Sequence, residues 1–287
     1  MEATVALKLA IQKSGRLAEA SLRLLDDCGI RVTATGKLKA QAAGFPLEVL
    51  FLRDDDIPQY VSDGVADIGM VGENEIIERG KDVSSVRPLG FGRCRLSLAV
   101  REHVAYSGLD YFQGKRIATS YTGILERFLA QEGLTAEIHE ISGSVEIAPS
   151  VGMADAIFDI VSTGSTLLLN GLKEVHTVLR SEAHLIAHPH LGPAQQALLE
   201  QLAFRIDAVS RARNSKYILL NAPNDRLEAI IRIIPGVKSP TIVPLAQSGW
   251  SSVHSVVSED DFWAVIGDLK TAGAEGILIV PIEKMIG

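Results

Sequence analysis

The most informative stretch of the 287-residue chain is residues 142–172, SGSVEIAPSVGMADAIFDIVSTGSTLLLNGL. Ala156 to Val161 has the composition of a buried strand and carries an acid, Asp159, near its carboxyl end. Ser162-Thr163-Gly164-Ser165-Thr166 follows and opens a helix. Such a loop offers unpaired backbone N–H groups, hydroxyl donors and a positive helix end, a set that suits a phosphate. Gly164 lets the backbone come close to the anion. With Asp159 and Glu146 able to accept hydrogen bonds from ribose hydroxyls, the pattern describes a cradle for a sugar phosphate. An isolated STGST also reads as an ordinary Ser/Thr helix cap; the company of the two acids favours the cradle.

Two further helix starts look similar, Thr119 to Gly123 before Ile124 and Ser142 to Ser144 before Val145. Opened on one sheet edge, the three N-termini would converge on one anionic ligand. Lys13 and Arg16 after the first strand, and Arg53 after the second, add cations on the edge where α/β sheets bind ligands. Each alone reads as a solvated charge. Together they could hold a polyphosphate or a leaving pyrophosphate.

Other reactive types have plainer readings. Cys94 lacks a histidine near it in sequence and enters a buried strand, so packing is favoured over nucleophilic chemistry. His184, His188 and His190, spaced around Pro189, suit an exposed loop better than a metal site. Asp54-Asp55-Asp56 could recruit magnesium or cap a helix with solvated neighbours.

The elements that must position these groups alternate. Val5–Ile11, Leu47–Leu52 and Ala66–Val71 read as strands, Arg16–Cys28 as a helix with Leu17, Ala20, Leu24, Leu25 and Cys28 on one face, and Pro58 as the first turn of a second helix. That rhythm predicts a parallel sheet covered on both faces, the first lobe (1–94). A second lobe (95–187) would hold strands at 96–100, 116–120, 137–141 and 156–161, with helices over 124–131 and 144–154. The chain then runs extended over 174–187 into a helix within 188–214 that returns to the first lobe. Two lobes with chain crossings leave a cleft, the usual place for a ligand. Residues 215–287 read β-α-β-β-α-β, a ferredoxin-like unit with turns at Pro235-Gly236, Ser248-Gly249 and Gly273. No reactive side chains concentrate there, so it reads as a regulatory or assembly module.

Composition bounds the partners. Lys and Arg total 28 against 35 Asp and Glu, a formal charge of -7, which argues against a nucleic-acid binder. Two distant cysteines make a disulfide framework improbable. No run reaches the ~18 apolar residues of a membrane span, and no export signal is expected, so a reduced cytoplasmic protein is predicted.

Nearly the whole chain resembles the long form of the ATP phosphoribosyltransferase family. The likeness is carried by Glu146, Gly152, Ala154, Ile157, Asp159, Thr163-Gly164, Thr166 and Leu167, and by LKLAIQKSGRL, RDDDIPQYVSDGVADIGMVGEN, FGRCRLSLAV, KRIATSY, SKYILLNAP, SPTIVPLA and ILIVPIEKM. The resemblance implies transfer of phosphoribosyl from phosphoribosyl pyrophosphate to N1 of ATP, the first step of histidine biosynthesis, with Mg2+ accompanying the pyrophosphate. It implies a catalytic core like type II periplasmic binding proteins, a C-terminal domain carrying histidine feedback inhibition, and a homo-oligomer, dimer or hexamer. Ser162 to Thr166 would take the 5-phosphate, Glu146 and Asp159 the ribose hydroxyls, and Lys13, Arg16 and Arg53 the pyrophosphate or ATP phosphates. Tyr121, Glu73 and Asn74 are assigned to the nucleotide. Many members carry an arginine where this chain has Ser165, so phosphate affinity here would lean on hydroxyls and amides. The residues alone also allow a solute-binding protein or a phosphoribosyltransferase for another base.

Overall fold

Strand β1 (Leu7–Gln12) is an unbroken apolar run because it lies in the middle of a sheet covered on both faces. The computed structural model describes residues 6–33, 38–234 and 239–286; Val5 and the Pro235-Gly236 turn lie outside them. Gly15, at φ 94°, makes the turn from β1 into α1 (Arg16–Asp27), a conformation that favours glycine. The buried stripe of α1 is Ala18, Ser21, Leu24 and Leu25, with Cys28 just beyond its end. It sits one residue away from the expected face at its start, because a buried serine hides in a hydrophobic pattern.

Strands β2 (Arg31–Val32), β3 (Lys39–Ala43) and β4 (Leu47–Leu52) follow, then α2 (Ile57–Ser62), β5 (Ile68–Gly72), α3 (Glu73–Arg79) and β6 (Ser84–Pro88). Their sheet runs β2-β3-β4-β1-β5-β12-β6, where β12 is Ala183–Ala187. Only its centre is parallel, as β4, β1 and β5. The flanks are antiparallel, which corrects the expected all-parallel sheet. Hairpin partners on one side and a returning strand on the other supply the reversed directions.

The second lobe holds β7 (Cys94–Arg101), β8 (Arg116–Thr119), α4 (Thr122–Glu132), β9 (Glu137–Glu140), β10 (Ala156–Val161), α5 (Ser165–Leu169) and β11 (Leu172–Ser181). Its sheet order is β11-β7-β10-β8-β9, so β10 is central, antiparallel to β7 and parallel to β8. Phe112 and Phe158 are fully buried in its core, each contributing on the order of 2–3 kcal/mol of burial free energy. The helix expected over 144–154 is instead one 3-10 turn, Val145–Ile147, followed by tight turns. Pro149 has no N–H to extend a helix, and Gly152 turns the chain at φ 77°.

Strand β12 (Ala183–Ala187) returns to the first sheet between β5 and β6, so the second lobe ends near Ser181 rather than at 187. The two crossings lie side by side: Leu89 N–H donates to Ala183 O at 2.8 Å and Ala183 N–H to Phe91 O at 2.9 Å. Two lobes joined by two crossings match the expected two-lobed core.

Helix α6 (Pro193–Arg213) then carries the chain from one compact unit (1–199) into another (200–287). The division falls inside α6, so most of the expected return helix groups with the C-terminal unit. There β13 (Ser215–Pro223), α7 (Leu227–Ile233), β14 (Thr241–Pro244), β15 (Trp250–Ser258), α8 (Glu259–Thr271) and β16 (Glu275–Pro281) form the expected ferredoxin-like unit, with antiparallel order β14-β15-β13-β16. It has its own core around Ile218, Leu220, Val253, Phe262 and Leu269. Ser258 caps α8 by accepting the Asp261 N–H at 3.0 Å.

Candidate functional site

The loop after β10 closes a cavity of about 200 Å3 lined by Ser162, Thr163, Gly164, Ser165 and Thr166, with Glu146, Asp159 and Arg16. The first turn of α1 sends Arg16 from the first lobe, while the other groups come from the second. Gly164 holds φ 82° and offers no side chain to cap α5. The leading amides of that helix and the hydroxyls of Thr163 and Thr166 are thus the loop's donors. Thr163 and Ser165 share a hydrogen bond between their hydroxyls at 2.9 Å, which pre-shapes the loop.

Asp159 accepts the N–H of Ile160 at 2.7 Å. Burial, reinforced by the charge of Glu146, pushes its carboxyl up to about 6. Two half-buried carboxylates facing one small space attract hydroxyl donors and positive charge.

Arg95 and Glu174 support the loop, and sequence reasoning missed both. The Arg95 guanidinium donates to both oxygens of Glu174, at 2.6 and 2.5 Å, and its third arm donates to the Ser162 carbonyl at 3.1 Å. Ser97 and Thr177 donate to the same carboxylate. Together with Arg95 they hold Glu174 down to about 2. The available signal was an arginine at the head of the apolar run CRLSLAV. A folded value below the ordinary 4.5 means stability present above that pH and lost as pH falls toward 2. Glu174→Gln is therefore expected to lower stability at pH 7 by about 1–2 kcal/mol, after screening of a partly exposed pair. Between pH 4.5 and 2 the variant and the parent should converge in chemical denaturation; a gap that stays constant with pH counts against the ion pair.

A second cavity, about 440 Å3, includes Arg53, Asp54, Asp55, Glu75, Arg79, Tyr121 and Ser142 in its walls. Arg53 pairs with Asp55 at 3.2 Å, so it stands here and not beside Arg16. Tyr121 is buried, and its phenol is pushed well above the usual range by burial and by Glu75. It stays a neutral donor. Lys13 is exposed at the end of β1 and is not among the residues lining these cavities. Asn74 faces inward: its N–H donates to the Ser181 hydroxyl, which donates back to Asn74 Oδ1 at 2.9 Å. Its amide nitrogen serves Glu75 and the Tyr121 hydroxyl. Glu73 lines a third cavity of about 230 Å3 at the crossings, with Arg93, Cys94, Arg180, Ser181 and Glu182.

The three helix starts do not act alike. That of α4 is filled by Glu78, whose carboxylate accepts the N–H groups of Gly123 and Ile124, each at 2.8 Å. The Ser142–Ser144 segment opens only a 3-10 turn. Of the three, the STGST loop is the one that lines the cavity with Arg16, Glu146 and Asp159.

Cys94 is half-buried and its thiol is pushed up by burial, the opposite of what a nucleophile needs. His184 lies in β12, not in a loop, bonded to Ser85 at 2.8 Å, while His188 accepts the His190 N–H. Among the described residues no group of three or more His, Cys, Asp or Glu could hold a metal ion. Nor is any helix among them long and apolar enough to cross a membrane.

Comparison with known proteins fits this geometry. The family model of ATP phosphoribosyltransferase (HisG) matches residues 53–208, and that of the HisG C-terminal domain matches 212–284. An ATP phosphoribosyltransferase of Bacteroides fragilis is 56% identical over 281 residues, 98% of this chain and 99% of that one. One from Cytophaga hutchinsonii is 57% identical, with 98% of each chain covered. A solved chain of the ATP phosphoribosyl transferase (HisG:HisZ) complex from Thermotoga maritima aligns with TM-score 0.60 and 29% identity, over 70% of this chain and 98% of its own.

Proposed function

This chain belongs to the ATP phosphoribosyltransferase family, and on that premise we propose that the loop after β10 seats phosphoribosyl pyrophosphate for attack by ATP. The enzyme joins N1 of adenine to C1 of the ribose and breaks the bond from C1 to pyrophosphate, the first step of histidine biosynthesis. The nucleophile is a ring nitrogen with a free lone pair, so no activated side chain is needed. What the protein supplies is alignment, charge neutralisation of the leaving group, and stabilisation of a cationic sugar.

In this reading Thr163, Gly164, Ser165 and Thr166 bind the 5-phosphate, with Ser162 held in place by Arg95. Asp159 and Glu146 accept the ribose hydroxyls and place negative charge beneath the developing cation. Arg16 meets the pyrophosphate from the first lobe. Arg53 and Tyr121 line the larger cavity and contact ATP; Lys13 reaches the triphosphate from the strand end. Asn74 serves by fixing Tyr121, and Glu73 lines a separate cavity at the crossings. Magnesium, when bound, would neutralise pyrophosphate charge. One or two carboxylates plus substrate oxygens suffice for it, and Glu146 and Asp159 provide that many.

The observation that carries this reading is a single cavity joining Arg16, two carboxylates and a hydroxyl loop. Mixing the protein with ATP, phosphoribosyl pyrophosphate and Mg2+, with pyrophosphatase present, tests it through the ultraviolet change of N1-substituted adenine. A panel of other bases separates it from a transferase with a different acceptor.

The C-terminal unit, with its separate core and no reactive cluster, carries histidine inhibition in this proposal, within a dimer or hexamer in the cytoplasm. A chain ending at Arg213 is expected to retain some turnover and lose inhibition by histidine. Inhibition that survives the truncation refutes the assignment.

A further inference from the structure

Helix α3 belongs to the first lobe by sequence and sheet connection, where it packs on α2 and β5, yet it also meets the second lobe through α4 and β11. Glu75 and Glu78, three residues apart, share one face of the helix. The Glu78 carboxylate caps α4 through both oxygens, on the N–H groups of Gly123 and Ile124. Arg127 of α4 donates back to the carbonyl of Ile77 at 2.9 Å. Ile77 itself packs against the core of the second lobe. One turn earlier, Glu75 is 5% exposed, hydrogen-bonded to the Tyr121 hydroxyl and ion-paired through Oε2 with Arg79 at 3.5 Å, and it is among the residues lining the larger cavity.

We propose that Glu75 and Glu78 are positioning residues for the transfer: they dock α3 on α4 and Tyr121 and so fix how far the first lobe stands from the sugar-phosphate loop. The inference rests on the assignment of that loop to phosphoribosyl pyrophosphate. Reaction of two separately held substrates depends steeply on their separation, and carboxylate bonds to amides are directional where apolar contacts would slide. The same contact occupies the positive end of α4, which keeps a substrate phosphate from lodging there instead of at α5. Glu75 fixes the ring of Tyr121 at the cavity wall, so that both acids act through other groups and neither touches the reacting atoms.

The test uses the full-length protein and the variants Glu78→Ala, Glu78→Gln and Glu75→Gln. Steady-state kinetics are paired with calorimetric binding of phosphoribosyl pyrophosphate and with circular dichroism. Loss of the charge-assisted cap should lower kcat about tenfold in Glu78→Ala and less in Glu78→Gln, which keeps one acceptor. Affinity for phosphoribosyl pyrophosphate should fall clearly less than kcat, because the loop after β10 is untouched and only the Arg16 contact shifts. Glu75→Gln should lower kcat and raise KM for ATP alone. Folded Glu78 variants with kcat unchanged overturn the proposal. So does loss of phosphoribosyl pyrophosphate affinity in step with kcat, which marks general damage to the second lobe. Should Glu78→Ala not fold, the two glutamine variants decide. The parent reading fails separately, if the unaltered protein's affinity does not depend on Thr163 and Thr166.

Discussion

Asp159→Asn is expected to lower kcat/KM by about 10²–10³-fold while making the protein harder to unfold. The loss follows from the carboxylate's place. It shares a small cavity with Glu146 and the phosphate loop, where negative charge stabilises a ribosyl centre that becomes positive as pyrophosphate departs. Asparagine keeps the shape and the acceptor for the Ile160 N–H but not the charge. The gain follows from the same burial. A carboxyl raised from 3.8 to about 6 binds its proton more tightly folded than unfolded. Its ionisation therefore costs stability, starting near pH 3.8 and complete above about 6. Removing the charge should recover about 2–3 kcal/mol at pH 7 and almost nothing at pH 4. For the parent enzyme, the part of activity carried by this carboxylate should fall as pH drops through 6. Denaturation at the two pH values, set beside kinetics at pH 7, checks both halves. Unimpaired kinetics would remove Asp159 from the mechanism; unchanged stability would show that its burial is relieved by other groups.

What could be read in advance was what lies close in sequence. Strand β10 and the hydroxyl loop after it fell where the apolar run and the Gly-containing turn required. The C-terminal β-α-β-β-α-β unit was legible for the same reason, since β13 and β15 alternate and the turns have their own residues. The misses are non-local. Helix α3 has only seven residues between Gly72 and Gly80, fewer than two turns, so periodicity could not reveal it. Glu78 and the α4 amides it caps are 45 and 46 residues apart, and Arg95 and Glu174 are 79 apart. No local pattern links such pairs. The antiparallel place of β12 likewise depends on the chain returning from another lobe. Burial explains the rest: Asn74 beside an acid looks like a surface ligand, whereas the fold turns its amide inward to Ser181 and Tyr121.

Thr163→Val with Thr166→Val should weaken phosphoribosyl pyrophosphate binding by about 10²–10⁴-fold, with each hydroxyl bond to a charged phosphate worth about 1.5–3 kcal/mol. Valine matches threonine in volume and branching, so the loop keeps its shape and loses donors only. The Thr163 hydroxyl is paired with that of Ser165 in the free protein, and ligand binding re-orients the pair. Its individual contribution should therefore be the smaller of the two. Because an arginine is absent at position 165, no side-chain cation within the loop can take over when the hydroxyls go. Backbone amides, the Ser165 hydroxyl and Arg16 would remain, and they set the floor of residual affinity. ATP affinity should hardly change, since Arg53 and Tyr121 line a different cavity. Calorimetry with each substrate alone measures the contrast directly. Equal weakening for both would mean that the two cavities form one binding unit, and no weakening for either would dissociate the hydroxyl loop from the sugar phosphate.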